Sequence, residues 1–370
     1  MKLTTNKTQL TNAVAIANSY VSNEGDFKGK IVISGTKSNI VIKATDYIQT
    51  IALKQIPFVS SDLTVDTFDN FSIDGKKLLT ALKATKTDEL IFEISQSHLV
   101  IKSGRSKVKI EILYEVQDIT TSTNGNYLNI DSNLITDFKR IFHAIDSNNP
   151  KYELNGVLVQ IIDGQLNLVA TDTRRLSVST CNTSDENMEI IVPKNGIQSM
   201  IKLFPTENVI AEFDDTTLTV KTQMITYSTK LINGSFPQWK RIIPSSYKEN
   251  LTISRTKLAE LIKEASLFED QISLNISEGK IVIKDKDNNT EIEDTVLDES
   301  VNISFSVSAK NILDFLISYD TENVEMNFNS SNLPIILIAD SQYKEVCMPI
   351  IVNNEKEVDN KNESVEQEAA

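Results

Sequence analysis

Few residues of this 370-residue chain could do chemistry. It carries two histidines, His98 and His143, and two cysteines, Cys181 and Cys347. His98 lies in an alternating, strand-like pattern and His143 on the side of a helix that reads as exposed. Neither stands beside a Ser or Cys nucleophile signature, so a catalytic triad is not expected. Two cysteines cannot build a disulfide framework or a zinc site, and both sit beside strand-like sequence, as small core residues do. The glycines Gly25 and Gly29 lack the spacing and the Ser/Thr of a phosphate-cradling loop, and no dinucleotide fingerprint follows any strand. One acidic–basic cluster remains: Asp172, Arg174 and Arg175, within Ala170-Thr-Asp-Thr-Arg-Arg. It could serve a monomeric β-rich enzyme or ligand-binding protein. Asp46, however, ends a matching strand without the two arginines, so a turn-capping aspartate is the better reading of both positions. No cofactor is expected.

The elements around that cluster recur. Residues 31–46, 158–172 and 272–285 each read as strand, tight polar turn, strand. Helix-period segments precede them at 6–20, 131–145 and 254–268, with Thr5, Asp131 and Ser254 as expected caps. Leu134, Ile135, Phe138, Ile141, Phe142 and Ile145 form one apolar stripe. Leu258, Leu261, Ile262, Ala265 and Phe268 form another. Second helices are expected after Asp74, Pro193 and Ser308. Further strand pairs begin at Leu90, Val209 and Val324. Four elements in one order, three times, read as a triplicated domain of about 120 residues. The expected fold is α+β: domains at 1–122, 123–247 and 248–352, then a disordered acidic tail at 353–370.

No apolar run is long enough to span a membrane and no signal peptide opens the chain, so a cytoplasmic protein is expected. The net charge of −14 argues against a nucleic-acid partner until it is located. The helical windows are basic in sum, and the excess acid lies in strands, loops and tail. Basic helices on an acidic protein suggest one positive face, suited to a phosphate backbone. With no base-reading element, such binding would be blind to sequence.

Four stretches resemble the bacterial sliding clamp family, the beta subunit of the replicative DNA polymerase. They are Leu154-Asn-Gly-Val-Leu with Ala170-Thr-Asp-Thr-Arg-Arg-Leu176, Lys230 to Pro244 around Asn-Gly-Ser-Phe-Pro-Gln-Trp, Ser103-Gly-Arg-Ser-Lys107, and Val346-Cys-Met-Pro-Ile350. The resemblance spans essentially residues 1–352. It implies three clamp-type domains, each with two helices packed on antiparallel sheets, and a homodimer closing head to tail into a six-domain ring. It implies a non-catalytic processivity factor that encircles duplex DNA and tethers polymerases, the clamp loader and repair proteins through short peptides. Carried over, the peptide pocket would comprise Leu154, Thr171, Arg174, Arg175, Leu176, Pro237, Arg241, Ile242, Val346, Met348, Pro349 and Ile350. Arg175 and Arg241 would donate hydrogen bonds to the peptide. DNA-facing residues would be Lys28, Lys30, Lys77, Lys83, Lys139, Arg140, Tyr152, Lys194, Lys202, Lys257 and Lys263. The dimer contact would join Val108 and Ile110 to Leu267 and Phe268. Thr173 and Arg174 depart from the family, standing where a Gly and an aromatic or His are usual.

Overall fold

The structure, a computed structural model, describes residues 1–36, 38–60, 67–114, 119, 125–128, 134–206, 208–296 and 300–351. The expected cap Asp131, residues 120–124 of the first boundary stretch and the acidic tail lie outside them.

Each expected helix forms, and side-chain caps set most of their starts. Helix α1 (Lys7–Ala17) begins at Asn6, whose side chain accepts from Gln9 N at 3.0 Å. Thr5, the expected cap, is instead the last inward residue of the strand Lys2–Asn6, and its hydroxyl donates to Pro57 O. The strand runs one residue further than the pattern suggests, so the cap moves with it. Helix α2 (Gly75–Ala84) starts at Asp74, which accepts from Lys77 N, and α3 spans Leu134–Ile141. Helix α4 (Lys194–Leu203) follows Pro193. Ser254 caps α5 (Arg255–Ala265) and Ser308 caps α6 (Ala309–Ser318). These caps satisfy N–H groups that the first turn of a helix leaves without partners.

The chain divides into two compact units, one of Met1–Phe138, Ser147–Asn167 and Cys181–Ser235, the other of Lys139–Asp146, Leu168–Thr180 and Phe236–Ala370. In the first, α1 and α2 pack together against a 12-stranded antiparallel sheet. Its central strand, Gln49–Ser60, pairs on one side with Asn39–Thr45 and on the other with Ile225–Lys230, Ile225 lying opposite Leu53. That strand therefore joins the hairpin expected in the first domain to a strand that follows, and pairs with, the strand pair expected from Val209. Leu10, Val14, Leu78 and Leu82 face inward from the two helices and are fully buried. Such one-sided burial is what their 3.6-residue spacing requires.

In the second unit α5 packs on α6. One sheet runs in antiparallel order through Arg175–Asn182, Tyr343–Cys347, Ile335–Ile338, Asn323–Phe328 and Glu249–Ser254. Another holds Glu291–Thr295, Lys280–Asp285, Gln271–Ser277 and Ile303–Ser308. Leu258, Ile262 and Ala265 are buried as expected, but Phe268 is 71% exposed. Helix α5 ends at Ala265, so the helical period that placed Phe268 on the stripe no longer applies there. Both cysteines are buried, as their strand settings suggested. Among the described residues, no helix is long and apolar enough to cross a membrane, and no His, Cys, Asp and Glu group could hold a metal ion.

Candidate functional site

The turn at 171–175 is built by the aspartate that the sequence marks. Asp172 Oδ1 accepts from the backbone N–H groups of Arg174 and Arg175, each at 3.0 Å. Asp46 Oδ1 does the same for Ile48 and Gln49. Both aspartates thus shape turns, and the catalytic reading of Asp172 with its arginines loses its reactive group. The neighbouring Thr171 donates its hydroxyl to Arg175 O at 2.6 Å, closing the turn from the other side.

Arg175 is not the free donor expected of it. Its side chain is 4% exposed and points into the second unit. Nε donates to Asp172 Oδ2 at 2.9 Å, Nη1 to Asp314 Oδ2 at 2.9 Å and Nη2 to the His143 carbonyl at 2.7 Å. Burial alone would lower the guanidinium pKa, but Glu345, Asp314 and Asp172 outweigh it and raise it. Burial likewise pushes the Asp314 carboxyl up, while hydrogen bonds from Lys310 and Arg175 more than reverse this and hold it below the ordinary range. His143, expected on an exposed face, is half-buried in the 3-10 turn Phe142–Ala144, and its Nε2 lies 2.7 Å from Oε2 of the fully buried Glu345. The helix has ended by then, and the tighter turn rotates His143 inward. Burial, with Glu345 next in effect, pushes the Cys347 thiol well up, which leaves it a packing residue.

Sequence reasoning missed Asp314, His143 and Glu345 as parts of this site. Arg175 and Asp314 are 139 positions apart, and no local pattern links them. Two adjacent arginines on an apolar strand were the available signal, since a buried arginine demands acidic partners.

The strand carrying Arg175 brings Leu176, Val346 and Met348, three of the other expected groove residues, together. Arg175 lies opposite Cys347 and Leu176 opposite Val346, and Met348 N donates to Arg174 O at 2.9 Å. Ile350 N donates to Ser306 O. Leu176 and Val346 are 2% and 1% exposed, whereas Ile242 and Met348 are 43% and 40% exposed. Pro237, Arg241 and Arg174 are also exposed, Pro349 and Ile350 are half-buried, and Thr171 is buried. Trp239 and Phe236, both buried, anchor the segment that carries Pro237, Arg241 and Ile242. Leu154 is buried in the first unit.

The expected DNA-facing lysines divide by their partners. Lys28, Lys77, Lys83, Lys139, Lys202 and Lys263 are exposed. Lys257 is engaged within the chain, donating to Thr295 O and pairing with Asp294 at 3.0 Å. Lys194 Nζ donates to Ser147 Oγ, and the Arg140 guanidinium lies 4.6 Å above the Tyr319 ring. Tyr152 keeps an exposed ring while its hydroxyl donates to Asn233 O. Lys28, Lys30 and Lys77 line one cavity of about 780 Å³ together with Val108 and Ile110. Three of the residues expected to face DNA and two of those expected at the dimer contact therefore line one cavity. Leu267 is 69% exposed beside Phe268.

Known proteins with this sequence and fold agree on one family. The profile of the DNA polymerase III beta subunit, central domain, matches residues 129–238, and that of its C-terminal domain matches residues 240–351. The beta sliding clamp of Helicobacter pylori is 26% identical over 356 residues, covering 91% of this chain and 94% of that protein. The Helicobacter pylori beta clamp bound to a DNA ligase peptide superimposes with a TM-score of 0.86 at 24% identity, over 95% of this chain and all of that one. The Pseudomonas aeruginosa sliding clamp bound to griselimycin gives 0.84 at 20% identity, over 95% and 100% of the two chains. The chain belongs to the bacterial sliding clamp family, the beta subunit of DNA polymerase III.

Proposed function

We infer that this chain is a DNA sliding clamp, a non-catalytic processivity factor that encircles duplex DNA and tethers polymerases and other partners by short peptides. The observation that carries this reading is the likeness to beta sliding clamps along 91% of the chain. In this reading the chain acts in the cytoplasm as three domains, 1–122, 123–247 and 248–352. Two copies close head to tail, Leu267 and Phe268 of one meeting Val108 and Ile110 of the other. Leu267 and Phe268, exposed side by side, support that contact, since water disfavours such a patch, while Val108 is half-buried and Ile110 buried beneath the facing surface. The exposed helix lysines Lys83 and Lys202 supply weak, sequence-blind attraction to phosphate. The peptide groove is lined by Arg174, Pro237, Arg241, Ile242, Met348 and Ile350 over a floor of Leu176 and Val346. A DNA ligase peptide occupies the Helicobacter pylori clamp, and a peptide of that kind fits a groove with apolar walls and two exposed arginines.

Retention after loading by the cognate loader tests the ring. The chain should stay on nicked circular DNA through gel filtration and leave once the circle is cut. Equal loss from both forms would overturn encirclement.

A further inference from the structure

We propose that Asp314 is a positioning residue of the peptide groove: acting through Arg175, it holds a strained turn in the shape that presents Arg174 and Met348. The proposal rests on the groove reading above and names a group outside the residues expected there.

The strain is at Thr173, which sits at φ 75°. A β-branched residue crowds the following carbonyl in this left-handed region, where glycine is at ease. At the matching turn Tyr47 adopts φ 70°, but its Cβ carries no branch, and Gln49 stands where Arg175 does. Strained backbone persists where surrounding contacts over-determine it. Here Thr171 Oγ1 accepts from Thr173 N at 3.0 Å, and Asp172 Oδ1 accepts from the next two N–H groups. Arg175 adds the longer-range hold, because Asp314 draws Nη1 toward α6 while Asp172 keeps Nε on the turn.

That hold reaches the groove through the backbone. Arg175 pairs with Cys347, and Arg174 O accepts from Met348 N. A guanidinium released from α6 retains Asp172 and the nearby Glu345 as acidic partners. The turn would then relax toward an unstrained shape, moving Arg174 and Met348, while the buried charge stays compensated. Asp314 itself is 23% exposed and holds Arg175 at Nη1, while Asp172 of the turn holds it at Nε. Its effect on a peptide would be indirect.

The test is a double-mutant cycle between Asp314→Ala and Thr173→Gly, read by calorimetric titration of the DNA ligase peptide onto the whole chain. Asp314→Ala should weaken binding by about tenfold or more, the scale of one lost hydrogen bond to a charged group. Thr173→Gly alone should change it little. In the Thr173→Gly background the Asp314 loss should largely vanish, because a glycine at that φ needs no holding. Unchanged affinity in Asp314→Ala overturns the proposal. So does an equal loss in both backgrounds, which is what a merely structural role would give. If a melting curve shows Asp314→Ala unfolded, Asp314→Asn replaces it with the same reading. A wild-type chain that binds neither the ligase peptide nor griselimycin overturns the groove itself, a result separable from the cycle.

Discussion

At the scale of residues, exposure separates the walls of the proposed groove from its floor. Leu176 and Val346 face each other across paired strands and are almost fully buried. Truncating Leu176 opens a cavity and should cost about 2–5 kcal/mol of stability, whatever it does to binding. Met348 and Ile242 keep two-fifths of their surface in water, so a peptide can reach them. Methionine also adapts its unbranched thioether to differently shaped anchors. Met348→Ala with Ile242→Ala should therefore weaken the ligase peptide by about 30-fold, from roughly 2 kcal/mol at an interface anchor, while the melting temperature holds. Unchanged affinity with an intact melt would remove both from the groove. Loss of melt and binding together would place them in the core.

Among elements, α6 contributes to the site through a carboxylate whose pairing depends on pH. Asp314 on α6 titrates below the ordinary carboxylate value, because its hydrogen bonds to Lys310 and Arg175 outweigh its burial. The unfolded chain takes up a proton near the ordinary aspartate value of about 3.9 while the folded carboxyl still holds its charge. The stabilisation is therefore complete above about pH 5 and is lost as the pH falls through the depressed folded value. Melting temperatures measured from neutral pH down to the acid limb should fall less steeply for Asp314→Asn than for the wild type. Parallel acid limbs would show that the Asp314 pair contributes nothing to that loss. The other end of the network, His143 with the buried Glu345, fixes the turn after α3 to the strand Tyr343–Cys347 within the same unit.

For the whole molecule, charge and exposed apolar surface are sorted by element. Lysines on the helices offset part of a net charge of −14, so attraction to DNA is local and the molecule as a whole remains acidic. Leu267 and Phe268 stand 69% and 71% exposed just past the end of α5, and Glu264, Glu269 and Asp270 flank them. The cavity beside Val108 and Ile110 is rimmed by Lys28, Lys30 and Lys77, a complementary sign. Leu267→Lys places a like charge against those lysines in that contact and should cost about 3–5 kcal/mol of association. Sedimentation at micromolar concentration should then show monomers with an unaltered melt, since the side chain is exposed in the single chain. A variant that remains dimeric would move the interface elsewhere.

Periodicity and caps by themselves determined the elements. The three hairpins, the six helices and the aspartates at 46 and 172 all follow from local spacing and side-chain hydrogen bonds to nearby backbone. The motifs at 154–158, 170–176, 230–244 and 346–350 carried the family, because each is a run of adjacent residues. Tertiary structure decided what depends on partners distant in sequence. It buried Arg175 against Asp314, turned His143 onto Glu345, paired Lys257 with Asp294 and left Phe268 in water. A pattern of period 3.6 says which face of a helix is apolar only while the helix lasts, and it cannot say which charge will answer a buried one. Long-range ion pairs are chosen by the packing that first removes them from water, and that packing exists only in the folded chain.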